Sequence, residues 1–129
     1  MPRKVLILQS EQKSAAALAR LFRARGDEVW ATRDLEHARG LLRQVHPDLL
    51  MMDLHLPGNA WLDFLRALRQ DQPRLNIILT NRHPDLQREM WAQAQGVTIF
   101  LREPFTTQWL DAALRRVESG LSPDARPAR

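Results

Sequence analysis

Apolar residues along the chain follow two spacings that take turns. Short continuous runs, as in Val5-Leu6-Ile7-Leu8, alternate with stripes spaced three and four residues apart, as in Ala15, Leu18, Ala19 and Phe22. A run bounded by polar residues reads as a strand, and a stripe at that spacing reads as one buried face of a helix. The pair repeats five times along the chain. The first strand spans Lys4 to Leu8. Ser10 is placed to cap a helix that stops at Arg25-Gly26. Asp27 to Ala31 reads as the second strand, and Asp34 caps a helix carrying Ala38, Leu41, Leu42 and Val45, closed by Pro47. Leu49-Leu50-Met51-Met52 has no polar alternation, so both its faces are expected to be covered, which makes it the central strand.

After the Leu56-Pro57-Gly58-Asn59 turn, Trp61, Phe64, Leu65 and Leu68 mark a third helix. Asn76 to Leu79 reads as the fourth strand, and a fourth helix is expected from about Pro84 to Gln95, ending at Gly96. Val97 to Leu101 reads as the fifth strand, and Thr106 to Glu118 as the fifth helix. Residues 121–129, with Pro123 and Pro127 among polar neighbours, read as a tail or the start of a linker after a domain at 1–120. Five strand–helix units with short loops predict an α/β fold, a doubly wound parallel sheet with helices on both faces.

Composition narrows this picture. A chain of 129 residues suits one domain, and 44% hydrophobic with 26% charged residues is ordinary for a globular protein. With no cysteine there is no disulfide, thiolate metal site or cysteine nucleophile. No apolar run approaches the roughly 18–20 residues that cross a bilayer, so no membrane partner is expected and a cytoplasmic setting is. The net charge is +4, from 19 basic and 15 acidic residues. The arginines are scattered among acids instead of forming a basic stripe, so direct nucleic-acid binding is not expected.

In a sheet of this kind chemistry collects at the carboxyl ends of the strands. The residues there are Gln9, Ser10 and Glu11 after strand one, Asp53 and His55 after strand three, Thr80 and Asn81 after strand four, and Arg102, Glu103 and Pro104 after strand five. No glycine-rich phosphate loop follows strand one, which argues against a nucleotide-dependent enzyme.

The stretch Pro47-Asp48-Leu49-Leu50-Met51-Met52-Asp53-Leu54-His55-Leu56-Pro57-Gly58, with Ile77-Ile78-Leu79-Thr80 and Glu103-Pro104-Phe105 further on, resembles the receiver domain of two-component response regulators. The resemblance extends over residues 3–120 and implies a flavodoxin-like (βα)5 fold with strand order 2-1-3-4-5. It puts Asp53 at the phosphoacceptor position, Thr80 at the residue that bonds the phosphoryl group, and Phe100 at the aromatic that moves inward on activation. Glu103-Pro104 falls on a Lys-Pro pair joined by a cis peptide. In that family two acidic residues after strand one join the Asp in holding Mg²⁺, and the lysine pairs with phosphoryl oxygens. Here those positions carry Gln9, Ser10 and Glu103. Phosphoryl transfer to a carboxylate crowds negative charge that a metal and a cation must offset, and this exchange removes both supports.

The resemblance therefore implies a signalling role in a phosphorelay, with the altered pocket pointing to an atypical receiver that acts as a protein-interaction module without phosphorylation. The alternative is a phosphorylatable receiver that accepts a phosphoryl group on Asp53 from a histidine kinase. The chain is not expected to be an enzyme and no catalytic residues are assigned, although the alternative amounts to phosphotransfer toward its own Asp53. No cofactor is expected; Mg²⁺ enters only under the alternative, with Glu11 and Asp53 as weak ligand candidates. Glu11 also suits the first turn of a helix, where it favours the dipole. Asp53 could equally hold its loop through backbone amides, and Thr80 could satisfy local backbone groups. The His55 ring is expected to face solvent, Arg102 to face away from the pocket, and His37, His46 and His83 to carry no chemistry. The implied partners are a histidine kinase or an output protein, and a second copy through helix four, strand five and helix five. Trp91 and Trp109 are the candidate interface anchors there.

Overall fold

The structure, a computed structural model, describes residues 2–97 and 99–119; the expected tail at 121–129 lies outside the described residues. Five strands and five helices alternate: β1 (Lys4–Leu8), α1 (Gln12–Ala24), β2 (Glu28–Thr32), α2 (Leu35–Val45), β3 (Leu49–Asp53), α3 (Ala60–Asp71), β4 (Asn76–Asn81), α4 (Leu86–Ala94), β5 (Ile99–Arg102) and α5 (Thr107–Glu118). The strands form one parallel sheet in the order β2-β1-β3-β4-β5. This is the doubly wound α/β fold that the alternation predicts, in the flavodoxin-like strand order that the resemblance implies.

The sheet divides the core in two. Leu6, Leu8, Leu50, Met52, Ile77 and Leu79 pack toward Leu42 of α2, Trp61, Phe64 and Leu65 of α3, and Ala92 of α4. Their chain neighbours Val5, Ile7, Leu49, Met51 and Ile78 pack the other way, toward Leu18 and Phe22 of α1 and Leu110 and Leu114 of α5. Period-two alternation thus feeds two apolar layers at once, which is why β3 has no polar residue before its last position. All five residues of β3 are buried.

Local chemistry sets the ends of the helices. Asp34, Asp85 and Thr106 each accept a bond from the amide three residues on, at 3.1, 3.0 and 3.2 Å, and so cap α2, α4 and α5. Helix α1 starts one residue later than expected, with Glu11 at the capping position and no side-chain cap bond. Its end needs Gly26, whose φ of 90° lies in the left-handed region. Helix α2 stops with His46 at φ 54°, just before Pro47.

Boundaries shift in several strands, and α4 is shorter at both ends, Leu86–Ala94. Strand β2 runs Glu28–Thr32 because Thr32 still pairs with Leu8. Strand β4 extends to Asn81, which pairs with Arg102. The Val97 amide bonds back to the Ala92 carbonyl at 3.3 Å, so Val97 belongs to the end of α4 and not to β5.

The central position of β3 makes a prediction. Leu50 is fully buried against both neighbouring strands. Leu50→Ala should destabilise the fold by about 2–5 kcal/mol through lost burial and a residual cavity. Urea denaturation of the two chains measures it, and a cost below about 1 kcal/mol would mean the site collapses around the gap.

Candidate functional site

Parallel pairing of β1, β3 and β4 brings Gln9, Asp53 and Thr80 to the same end of the sheet, with Asp53 opposite Thr80 in register. Asp53 is 1% exposed, so water contributes almost nothing to its hydration. Protein donors stand in. The His55 amide donates to Oδ1 at 2.8 Å, and the Ser10 amide donates to Oδ2 at 3.2 Å. The Ser10 hydroxyl donates to Oδ2 at 2.5 Å. Hydrogen bonds to a charged group contribute about 1.5–3 kcal/mol each, enough to hold a buried carboxylate in place. Serving Asp53 explains why Ser10 does not cap α1, where the sequence places it.

Thr80 and Gln9 satisfy one another. The Gln9 Nε2 donates to the Thr80 hydroxyl at 3.0 Å, and that hydroxyl lies 3.3 Å from Gln9 Oε1, which can accept its proton. Both residues are buried.

A cation that the sequence reasoning missed completes the site. Arg82, directly after β4, pairs through Nη1 with Glu11. Its Nη2 donates to the Ser10 hydroxyl oxygen at 3.3 Å and lies 3.8 Å from Asp53 Oδ2. The only sequence signal for Arg82 is its place next to Asn81 at a strand's carboxyl end. Arg33 also reaches the site and donates to the Ser10 carbonyl at 3.2 Å.

Glu103 follows β5 and is joined to Pro104 by a cis peptide. Its Oε1 accepts from the Ser14 hydroxyl at 3.3 Å, while its Oε2 is buried with no hydrogen-bond partner among the described residues. Arg102 is exposed, on the opposite alternation of β5. Burial raises the Glu103 carboxyl above its ordinary value of 4.5, and the Asp53 charge pushes the same way. The Ser14 bond and the Arg82 charge pull it down, and Glu11 adds a smaller upward push.

The His55 ring does not face solvent as expected. Its Nε2 lies 2.7 Å from Asn81 Oδ1 and 3.1 Å from the His83 carbonyl. Both partners accept, so Nε2 carries the proton. The His83 ring meets His55 edge to face, with centroids 5.6 Å apart. Asn81 in turn donates to Glu89 of α4.

Phe100 is half-buried and packs with the α2, α3 and α4 layer, opposite Leu79. Trp91 and Trp109 are 41% and 54% exposed, and Leu86 and Met90 are exposed beside Trp91 on α4. Trp91 also touches the buried Trp61 ring at a centroid distance of 6.5 Å.

The donor set suits Mg²⁺ poorly. That ion takes oxygen ligands in near-octahedral geometry, usually including carboxylates. Gln9 is turned to Thr80, Ser10 gives its proton to Asp53, and Arg82 brings a positive charge beside the buried Asp53 carboxylate. Among the described residues no three His, Asp or Glu side chains are placed to hold a metal ion.

The chain belongs to the response regulator receiver domain family, whose profile matches residues 5–115. It is thus a receiver domain of the two-component response regulators. It is 31% identical over 114 residues to the transcriptional regulatory protein CpxR of Escherichia coli K12, covering 88% of this chain and 48% of CpxR. It is 30% identical over 105 residues to the DNA-binding transcriptional regulator NtrC of Proteus hauseri, covering 79% of this chain and 22% of NtrC. The chain therefore spans half or less of these relatives.

Among solved structures, the signal receiver domain of an HD domain-containing protein from Pseudomonas fluorescens Pf-5 superposes with a TM-score of 0.84 at 26% identity, covering 92% of this chain and 96% of that one. A receiver domain protein from Clostridium thermocellum gives 0.81 at 23%, covering 91% and 94%. No helix among the described residues is long and apolar enough to cross a membrane.

Glu103 generates a pH prediction. Its raised value means the folded chain holds a proton more tightly than the unfolded one. Its contribution to stability is complete below the ordinary value of 4.5 and is lost as pH rises through the raised value. Glu103→Gln, which cannot ionise, should raise Tm by roughly 2–4 °C at neutral pH and leave it unchanged in acid. Thermal melts across pH 4 to 8 check this, and a gain confined to acid would contradict the sign.

Proposed function

We propose that this receiver domain works as an atypical receiver, a protein-interaction module whose state is set by a partner and not by phosphorylation. The observation that carries the reading is the bonding of Asp53. A phosphoacceptor must present a free carboxylate oxygen to the donor phosphorus, in line with the leaving group, and the growing negative charge must be offset. Both oxygens of Asp53 already accept protein hydrogen bonds. The Thr80 hydroxyl is committed to Gln9, and the half-buried carboxylate in the pocket is Glu103. A phosphoryl group brought here would meet the Glu103 charge, and the Arg82 cation is already paired with Glu11 beside Asp53.

The partner surface fits the exposed α4 and α5 side chains Leu86, Met90, Trp91 and Trp109. Large apolar and aromatic side chains of this kind are typical anchors for a protein contact. The partner is an output protein, a histidine kinase or a second copy of the chain, in a cytoplasmic setting. No cofactor is needed. Phosphorylation of Asp53 by a histidine kinase with Mg²⁺ is the competing reading.

Intact mass decides between them. After incubation with a small-molecule phosphodonor and Mg²⁺, the folded chain should show no added phosphoryl group, as should Asp53→Asn. A gain of one phosphoryl group that vanishes in Asp53→Asn would overturn the proposal and install the competing reading.

A further inference from the structure

The carboxyl end of the sheet gathers three acidic side chains, from Glu11, Asp53 and Glu103. Arg82 is threaded between two of them. Nη1 of its planar fork pairs with Glu11 at the start of α1, and Nη2 lies 3.8 Å from Asp53 at the end of β3. The Ser10 hydroxyl stands between, accepting from Nη2 at 3.3 Å and donating to Asp53 at 2.5 Å. One positive charge thus bridges carboxylates from separate elements and polarises the hydroxyl that links them. A divalent ion in a cluster of oxygen donors does the same work, yet the donors here do not fit one.

We infer that Arg82 is the resident counter-ion of Asp53 and Glu11, a cation built into the chain that takes the place of a divalent metal ion and excludes it. A guanidinium suits this role because its fork reaches two acceptors in one plane and it stays charged at any physiological pH. A tethered charge also frees the pocket from the supply of metal. Arg82 is 26% exposed and Asp53 1%, so the bridge is shielded from bulk water mainly on the Asp53 side. The inference deepens the phosphorylation-independent reading, and its test is separate from the mass measurement.

The probe is Mn²⁺, a paramagnetic substitute for Mg²⁺, titrated against the ¹⁵N-labelled chain while amide signals of Ser10, Glu11 and Asp53 are followed. The parent chain should show no saturable broadening at these positions in the millimolar range. Arg82→Gln, with its spectral dispersion confirming the fold, should bind Mn²⁺ at these residues on the order of tenfold more tightly, because the repelling charge beside Asp53 is gone and the Glu11 carboxylate is released. Arg82→Lys keeps a positive charge beside Asp53 but not the two-acceptor fork, so it should bind Mn²⁺ more weakly than Arg82→Gln.

Saturable submillimolar binding by the parent would overturn the inference, and so would Arg82→Lys binding as tightly as Arg82→Gln, or a folded Arg82→Gln that binds no better than the parent. Should Arg82→Gln not fold, the parent titration still decides the matter. A phosphoryl gain by mass, with parent Mn²⁺ binding absent, would sink the phosphorylation-independent reading and leave the counter-ion role standing.

Discussion

A carboxylate that is 1% exposed at the end of a central strand must be hydrated by the protein itself, and this constraint organises the functional end of the molecule. Leaving Asp53 unpaired there would cost several kcal/mol, a large part of the roughly 5–15 kcal/mol by which a domain is stable. Three hydrogen bonds meet the need, and they come from two loops. The β1–α1 loop gives the Ser10 amide and hydroxyl. The β3–α3 loop gives the His55 amide, which fixes the backbone turn after Asp53. Arg82 adds charge from the β4 side.

The arrangement has consequences beyond the pocket. With Ser10 committed to Asp53, α1 begins without a side-chain cap, a loss of about 0.5–2 kcal/mol in comparable helices. The buried face of α1, with Ala15, Leu18, Ala19 and Phe22, offsets that loss by packing. Gln9 and Thr80 form a closed pair, so two buried polar side chains are satisfied without a ligand. Glu103 is left in tension at the pocket. Its Oε1 has a single hydroxyl donor, its Oε2 has no hydrogen-bond partner among the described residues, and its charge faces Asp53.

The fold was legible because two apolar layers leave two clear periods in the sequence. Each strand supplies both layers and each helix only one, so runs and stripes separate cleanly. The candidate site was legible wherever position on a strand decides it. Asp53 and Thr80 sit at strand ends, and pairing in register makes them neighbours. Loop side chains obey no period, and there the sequence leaves Ser10 between two roles, turns His55 outward and passes over Arg82. Ser10 has the chemistry of a helix cap and of a carboxylate donor alike, and only the nearness of β3 decides between them. His55 turned inward because Asn81 and the His83 carbonyl both offer an acceptor to it. Arg82 is one arginine among many, and nothing in its neighbours marks the one whose fork reaches two carboxylates.

The same loops tie the pocket to the exposed face of α4. Asn81 accepts from the His55 ring and donates to Glu89, one residue before Met90. Arg88 donates to the carbonyls of Leu54 and Leu56 at 3.0 and 3.4 Å, and its guanidinium lies 5.4 Å from the centroid of the Trp61 ring. Helix α4 is thus moored to the loop that leaves Asp53, while its outer side chains Leu86, Met90 and Trp91 are free for a partner. A partner on that face can bias the pocket only if it binds better to a state in which these moorings have shifted. One that leaves them in place gains contact area and changes nothing at Asp53. The moorings, more than the aromatic side chains, decide whether docking on α4 is also signalling.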